Sequence, residues 1–303
     1  MNEENNELNI LLENIKTIKT FEKDIRSMSI FPSGNLLSIS GVNSIKIYDI
    51  NFNLLQNIIP KNREWICYSD IKDENTFLVS SEKNIVLYTK NEGKFTINKI
   101  IKTNHKNIVL KVSFLPNGNI LSASVDNTIK IYEEKDDKEY QNIITIVNLK
   151  IIRSFMLLED KKILVTSGDD GTKFWNYNNY EEIYSFNNVI CGFWNSIIRI
   201  DDNKILIGGK SSFYIILLNE KKIIEIQNKF YCNGICYVKN KDILIVVGGI
   251  DIKIYNNKNY QCLRSIQDIS ITSNNGVIQL KNGLIVTYTS IGIIKIWEIK
   301  NNK

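Results

Sequence analysis

Histidine is almost missing from this sequence: His105 is the only one in 303 residues. Hydrolytic triads need a histidine aligned with a nucleophile and an acid, and zinc proteases need two histidines in an HExxH motif. The sequence contains neither HExxH nor a glycine-rich phosphate loop. We therefore expect no enzymatic activity, no bound metal and no cofactor.

Long apolar runs are absent as well. No stretch approaches the 20 or so apolar residues that a membrane-spanning helix needs, and the start, MNEENNELNILLENIKTIKT, has no apolar core of signal-peptide length. The cysteines are odd in number, scattered, and lie mostly in apolar segments: Cys67, Cys191, Cys232, Cys236 and Cys262. This pattern is typical of free thiols in a reducing compartment. We expect a cytoplasmic protein, with the nucleus as the alternative.

Concentrated charge of one sign is also lacking. The net charge is only +5, and the densest charged segment, EEKDDKE at 133–139, mixes both signs. Proteins that bind nucleic acid usually gather Lys and Arg on one face. The sequence therefore predicts no nucleic-acid partner.

What the sequence does contain is a short pattern repeated seven times. The segments SIKIYD, NIVLYT, TIKIYE, TKFWN, IILLN, DIKIYN and IIKIWE recur at intervals of 37 to 44 residues. Each places an aromatic residue or leucine at one position, namely Tyr48, Tyr88, Tyr132, Trp175, Leu218, Tyr255 and Trp297. A period of about 40–45 residues is typical of repeat folds with one small sheet per repeat.

Each period contains about four short strands with alternating apolar residues, separated by turns. This predicts an all-β fold, a seven-bladed β-propeller of four-stranded antiparallel blades, in one domain over residues 1–303. The last period has only three strands, so we expect residues 14–20 to pair into blade 7 and close the ring. The spacing of Leu8, Leu11 and Leu12 is helical, so residues 1–13 are expected to form a short helix or to fray.

The third period carries more than the strand pattern. The stretch 105–134 resembles a complete WD40 repeat, through His105, Val109, Val112, Phe114, Pro116, Gly118, Asp126 and the pair Tyr132-Glu133. Repeats 4 and 7 are similar in part, through SGDDGTKFWN and TSIGIIKIWEI. The resemblance implies a buried hydrogen-bond network within a repeat, and it assigns structural roles to His105, Ser122 (or Ser124), Asp126, Tyr132, Asp169, Trp175 and Trp297.

The resemblance further implies a scaffold that binds protein segments as a monomer within a larger assembly. In WD40 proteins the usual docking face carries the connections from each outer strand to the next inner strand. Here these connections contain Arg26, Arg63, Trp65, Arg153, Trp194 and Tyr231. Trp, Tyr and Arg often carry binding energy at interfaces, and Arg can bind a carboxylate or phosphate with two hydrogen bonds. We expect a peptide partner here, acidic or phosphorylated, although Trp65 and Trp194 could instead pack between blades.

Two other functions remain open at this point. A propeller enzyme would hold a metal or substrate in the central channel, but the inner strands supply almost no acids, with Asp24 and Asp70 as exceptions in different blades. A phosphoinositide-binding propeller would carry paired arginines on a late blade, where this sequence has a lone Arg264. Blade 5, with Leu218 in the aromatic position, is expected to be the least regular blade.

Overall fold

The computed structural model describes residues 10–20, 23–41, 44–60, 65–136, 139–148, 150–192, 196–271 and 273–301. These residues form seven four-stranded sheets in which every pairing is antiparallel, which confirms the predicted all-β, seven-bladed propeller. Two single-turn 3₁₀ helices, Glu159–Lys161 and Lys239–Lys241, each connect an inner strand to its neighbour.

The strands follow one another outward from the channel in each blade. The first strand of the chain, β1 (Ile10–Lys19), belongs to the last blade. Blade 1 contains β2 (Ile25–Ile30), β3 (Leu36–Ser40), β4 (Ser44–Tyr48) and β5 (Leu54–Ile58). Blade 2 contains β6 (Ile66–Asp73), β7 (Thr76–Ser81), β8 (Asn84–Asn91) and β9 (Lys94–Lys102). Blade 3 contains β10 (Val109–Phe114), β11 (Ile120–Ser124), β12 (Thr128–Glu134) and β13 (Tyr140–Val147).

The remaining blades repeat this order. Blade 4 contains β14 (Ile152–Leu158), β15 (Ile163–Gly168), β16 (Gly171–Asn176) and β17 (Glu182–Phe186). Blade 5 contains β18 (Ile197–Arg199), β19 (Lys204–Gly208), β20 (Ser212–Leu217) and β21 (Lys222–Gln227). Blade 6 contains β22 (Gly234–Val238), β23 (Ile243–Gly248), β24 (Asp251–Asn256) and β25 (Cys262–Gln267). Blade 7 contains β26 (Asn274–Gln279), β27 (Ile285–Thr289) and β28 (Ile293–Asn301), with β1 outermost.

The core lies between blades, because side chains alternate across each sheet and both faces are covered by a neighbouring sheet. Between blades 1 and 2, for example, Phe31 packs against Phe77 and Phe95, with ring centroids 6.2 Å and 5.4 Å apart. The second strands, buried on both faces, read as nearly continuous apolar runs such as ILIVVG in β23. The apolar alternation of the repeat is therefore what holds the ring together.

The ring is closed by β1, which pairs with β28 from Ile10↔Asn301 to Lys19↔Ile293. This closing strand begins at Ile10, four residues before the predicted Asn14. Residues 10–13 are strand rather than the expected helix or frayed end, because Ile10 and Leu12 are buried against blades 6 and 7. Of the predicted helix, residues 1–9 lie outside the described part of the chain.

The register of blade 5 corrects the position assigned to Leu218. Trp175 lies opposite Leu164 and Tyr255 lies opposite Leu244, and the residue that occupies the same place in blade 5 is Ile216, opposite Ile205. Leu218 follows the end of β20 and is buried in the turn. Because position 216 holds isoleucine instead of an aromatic residue, the sequence pattern assigned the aromatic position of blade 5 to Leu218, two residues too late in the chain.

Candidate functional site

One face of the ring carries the outer-to-inner connections together with the turns between the second and third strands of each blade. We call it the loop face. Backbone hydrogen bonds join the two kinds of segment within a blade: the Glu82 amide donates to the Trp65 carbonyl (2.8 Å), and the Asp169 amide donates to the Ile151 carbonyl (3.0 Å). These bonds connect each entry segment to the turn beside it in the same blade.

In blade 3 the structure brings His105, Ser122 and Asp126 together. His105 Nδ1 lies 3.0 Å from Asp126 Oδ2, and His105 Nε2 lies 2.8 Å from Ser122 Oγ. Because an ionised carboxylate only accepts hydrogen bonds, Nδ1 carries the proton and Nε2 accepts from the serine hydroxyl. Thr128 Oγ1 donates to Asp126 Oδ1 (2.6 Å), and the Tyr132 hydroxyl donates to the Thr103 carbonyl (2.7 Å). Every polar group of this buried cluster has a partner.

The electrostatics of the cluster favour a neutral imidazole beside a charged carboxylate. Burial lowers the pKa of His105, although Asp126 acts in the opposite direction. Burial by itself would raise the pKa of Asp126, but hydrogen bonds from Thr128 and the Lys106 amide outweigh it and bring that pKa to about 2. Burial also raises the pKa of the Tyr132 hydroxyl, which stays protonated as a donor.

The two tryptophans of the repeat signature are buried and donate hydrogen bonds within their own blades. Trp175 Nε1 donates to Thr166 Oγ1, and Trp297 Nε1 donates to Thr287 Oγ1, each at 2.9 Å. The threonines lie on the second strand, where blade 3 has Ser122. Asp169, to which the resemblance assigns a structural role, accepts two hydrogen bonds from Arg153.

Five inner strands lose their register by a β-bulge where they leave the loop face, at Arg26, at Cys67 and Tyr68, at Leu110, at Arg153 and at Asn275. A bulge re-aims the side chain of the extra residue. Two of these side chains reach the backbone of the next blade, Arg26 to the Ile66 carbonyl (3.4 Å) and Asn275 to the Ile25 carbonyl (2.9 Å).

Both described arginines of the predicted site are already paired with carboxylates. Arg26 Nε donates to Asp24 Oδ2 at 2.6 Å, and the Arg26 side chain is only 10% exposed. Arg153 binds both oxygens of Asp169, at 2.8 and 3.1 Å, and this hydrogen bonding raises the pKa of Arg153. The geometry leaves Arg153 partly accessible and Arg26 enclosed.

The described aromatic residues of the predicted site are exposed. Trp65 is 54% exposed and Tyr231 is 47% exposed, so neither ring is enclosed in the core between blades. One face of the Trp65 ring is covered by the Arg26 guanidinium, whose carbon lies 4.4 Å from the ring centroid. A pocket of about 240 Å³ beside Trp65 is lined by Glu82, Lys83 and Ile108. Arg63 and Trp194, the other predicted residues, lie outside the described part of the chain.

The structure adds residues that the sequence reasoning missed. Further exposed apolar side chains stand at the loop-face ends of strands, at Ile59, Val147, Ile269 and Ile291. In the sequence, such residues could be recognised as apolar side chains at or just beyond the end of an outer strand, or within a turn. Lys111, on an inner strand, lies between the Tyr68 and Phe155 rings, with Nζ 5.0 and 5.3 Å from their centroids. Burial lowers the pKa of Lys111 to about 8.

Within the described residues, no group of three or more His, Cys, Asp or Glu side chains is arranged to hold a metal ion. Asp70, on the inner strand β6, accepts hydrogen bonds from Ser113 Oγ and the Phe114 amide, each at 2.8 Å, across the boundary between blades 2 and 3. The described residues also include no helix long and apolar enough to cross a membrane.

Comparison with known proteins agrees with the geometry of blade 3. The family model of the WD domain, G-beta repeat, matches residues 98–133. An uncharacterized ABC transporter permease of Methanocaldococcus jannaschii is 26% identical over 163 residues, which are 52% of this chain and 40% of the length of that protein. The matched repeat and the seven four-stranded blades around one ring identify the chain as a WD40-repeat β-propeller.

Proposed function

We propose that this propeller is a non-enzymatic scaffold that docks a peptide segment on its loop face, as one subunit of a larger assembly. WD40 propellers generally serve as scaffolds for protein interactions. The observation that carries the proposal is Trp65, which is 54% exposed beside an apolar pocket on this face. A large exposed aromatic ring is costly in water and is typical of a binding anchor.

Trp65 is held in place before any partner arrives. Arg26 stacks on one side of the ring, and Arg26 is itself fixed by Asp24 and by the Ile66 carbonyl. The backbone carbonyl of Trp65 accepts a hydrogen bond from the Glu82 amide. Because little side-chain freedom is left to lose, docking against the free side of the ring has a small entropic cost.

The contacts of the arginines favour an apolar anchor in the partner over an acidic or phosphorylated one. A phosphate approaching Arg153 would have to displace Asp169, which already accepts two hydrogen bonds from the guanidinium. Arg26 is enclosed and paired with Asp24. The pocket beside Trp65, in contrast, offers mainly Trp65 and Ile108 surface to a Leu, Ile, Met or Phe side chain.

We propose that the protein acts inside the cell, in the cytoplasm or, as the alternative, in the nucleus. No disulfide joins the five cysteines, all of which lie in the described part of the chain, and four of them are buried. A reducing compartment keeps such thiols reduced.

The proposal is tested with a library of displayed peptides selected on the wild-type protein. The tightest peptide is then titrated against Trp65→Ala, Tyr231→Ala and, as a control, Ile50→Ala, which removes an equally exposed apolar side chain (56%) from the opposite face. We expect Trp65→Ala to weaken binding by about tenfold or more, in the range of an interface hot spot. Ile50→Ala should leave the affinity unchanged. Equal binding by all variants would place the docking site elsewhere.

A further inference from the structure

The outer edges of six blades share one irregularity. In each of them the outermost strand slips by one residue against the third strand, opposite or next to the aromatic residue of the repeat. The extra residues are Ile15, Leu55, Asn98, Ile143, Ile183 and Leu263. Bulges on edge strands disrupt the row of free backbone groups and so prevent another strand from pairing there.

Blade 5 has no bulge between its third and outermost strands. Its outer strand β21 pairs with β20 from Ser212↔Gln227 to Leu217↔Lys222 without a shift. The cause is one missing residue: Ile215 pairs with Ile224, nine positions on, whereas Phe174 pairs with Tyr184, ten positions on. The six regular residues of β21 form the longest uninterrupted run on any described outer strand, the next being the five of Ile10–Asn14 in β1.

The direction of the free backbone groups on β21 follows from its pairing. The Asn228 amide donates to the Ser211 carbonyl at 2.9 Å, so these two residues form a hydrogen-bonded pair. Because hydrogen-bonded and non-bonded pairs alternate along an antiparallel ladder, Ile223, Glu225 and Gln227 direct their N–H and C=O groups away from β20. These three residues are a template for an added strand.

We propose that the edge of β21 is a second docking site, where an extended segment of a partner protein adds a fifth strand to blade 5. In this mode the main chain supplies the hydrogen bonds and alternate side chains supply specificity. Ile223, Ile224 and Ile226 are half-buried and would be covered by β-branched or other apolar side chains of the added strand.

Charge indicates which end of the segment is acidic. Glu225 accepts hydrogen bonds from Ser212 Oγ (2.5 Å) and Gln227 Nε2 (2.9 Å), so its carboxylate is turned back onto the blade. Glu220 accepts hydrogen bonds from Asn203. Lys222 is exposed, and its positive charge contributes, after the hydrogen bonds of Glu220, to lowering the pKa of the Glu220 carboxyl beside it. An acidic residue opposite Lys222 complements this end of the edge.

The test uses two matched proline variants. Proline at Glu225 removes an outward N–H and no ladder bond, so the fold is retained while strand addition is blocked. Ser265→Pro likewise removes an outward N–H, at the equivalent position of β25, whose edge is bulged. A third variant, with one asparagine inserted between Ile223 and Ile224, gives blade 5 the residue count of the other blades. Thermal unfolding confirms that each variant is folded.

The probe is the tightest eight-residue peptide selected from a displayed library on wild type and depleted on the Glu225→Pro variant. We expect this peptide to lose at least tenfold in affinity with Glu225→Pro and with the insertion, and to bind Ser265→Pro and Trp65→Ala like wild type. N-methylation of its backbone at alternate residues should abolish binding, whereas N-methylation of the intervening residues should not.

Three results would overturn the proposal. One is a library that yields no peptide preferring wild type over Glu225→Pro, and another is a peptide insensitive to N-methylation. The third is a concentration-dependent dimer of the wild-type protein that Glu225→Pro abolishes, since it would assign the edge to a second copy of this chain. Because Trp65 lies on the loop face and β21 on the rim, loss of one site leaves the other measurable.

Discussion

The single histidine makes the hydrogen-bond cluster of blade 3 directly observable by NMR, since its imidazole gives one set of signals. We expect His105 to titrate with a pKa below its usual value of 6.5, because burial disfavours the charged imidazolium more than Asp126 favours it. Asp126→Asn should lower this pKa further, since it removes the charge that raises it. A wild-type value at or above 6.5 would contradict the neutral imidazole.

The same shift has a consequence for stability. The histidine of the unfolded chain, with a pKa near 6.5, binds a proton more readily than the buried one, so the unfolded state gains protons first as the pH falls. The free energy of unfolding should therefore decrease as the pH drops below about 6.5 towards the pKa of the folded state. In His105→Gln this part of the pH dependence should disappear, as measured by urea unfolding at pH 7 and pH 5.

At the residue scale, the sequence predicted contacts within a repeat better than side-chain pairing on the loop face. The positions of His105, Ser122 and Asp126 follow from the resemblance of one stretch to a known repeat, and the distances agree with it. The pairing of Arg153 with Asp169 could not be read from the pattern, which assigned the two residues to different roles. That contact depends on a bulge in the inner strand, and nothing in the alternation of residues marks a bulge.

Two apolar residues of the closing strand β1, Leu12 and Ile15, differ in how far their side chains are exposed. Leu12 is 5% exposed and packs between blades 6 and 7, whereas Ile15 is the bulge residue and is 48% exposed. We expect Leu12→Ala to reduce the free energy of unfolding by about 2–5 kcal/mol. Ile15→Ala should change it by less than about 0.5 kcal/mol. Urea unfolding of both variants measures the difference, and equal losses would show that β1 does not close the ring in this register.

At the element scale, the repeat predicted the number and order of strands but not their exact pairing. Strand order follows from apolar alternation and turns, which are local properties of the sequence. A bulge can be recognised only when the number of residues between paired positions of two strands is known. In blade 5 that number could not be counted from the sequence, because Ile216 replaces the aromatic residue that marks the third strand in the other blades. The helical spacing of Leu8, Leu11 and Leu12 was outweighed by the pairing of residues 10–19 with β28, because a strand buries Ile10 and Leu12 together.

At the scale of the whole molecule, the propeller separates structure from recognition. Seven blades bury their apolar side chains against one another, so the scaffold does not depend on any single loop. The loop face and the edge of β21 are then left with groups that the fold itself does not need, namely the free side of the Trp65 ring and the outward backbone groups of Ile223, Glu225 and Gln227. The two proposed sites lie on one ring, which suits them to holding two partners at a fixed distance.

The dependence of loop-face binding on salt distinguishes the apolar anchor from the acidic alternative. The protein carries a net charge of only +5, and Arg26 and Arg153, the two described arginines of the predicted site, are both paired with aspartates. We expect the Kd of the peptide selected on the loop face to change by less than about twofold between 50 and 300 mM NaCl, since apolar burial is little affected by screening. The control is Asp169→Asn, which frees Arg153 to attract an acidic residue and should make the affinity for acidic peptides fall as salt is added. A wild-type Kd that rises severalfold over the same range would instead show that the loop face binds through charge, with Asp169 displaced from Arg153 by the partner.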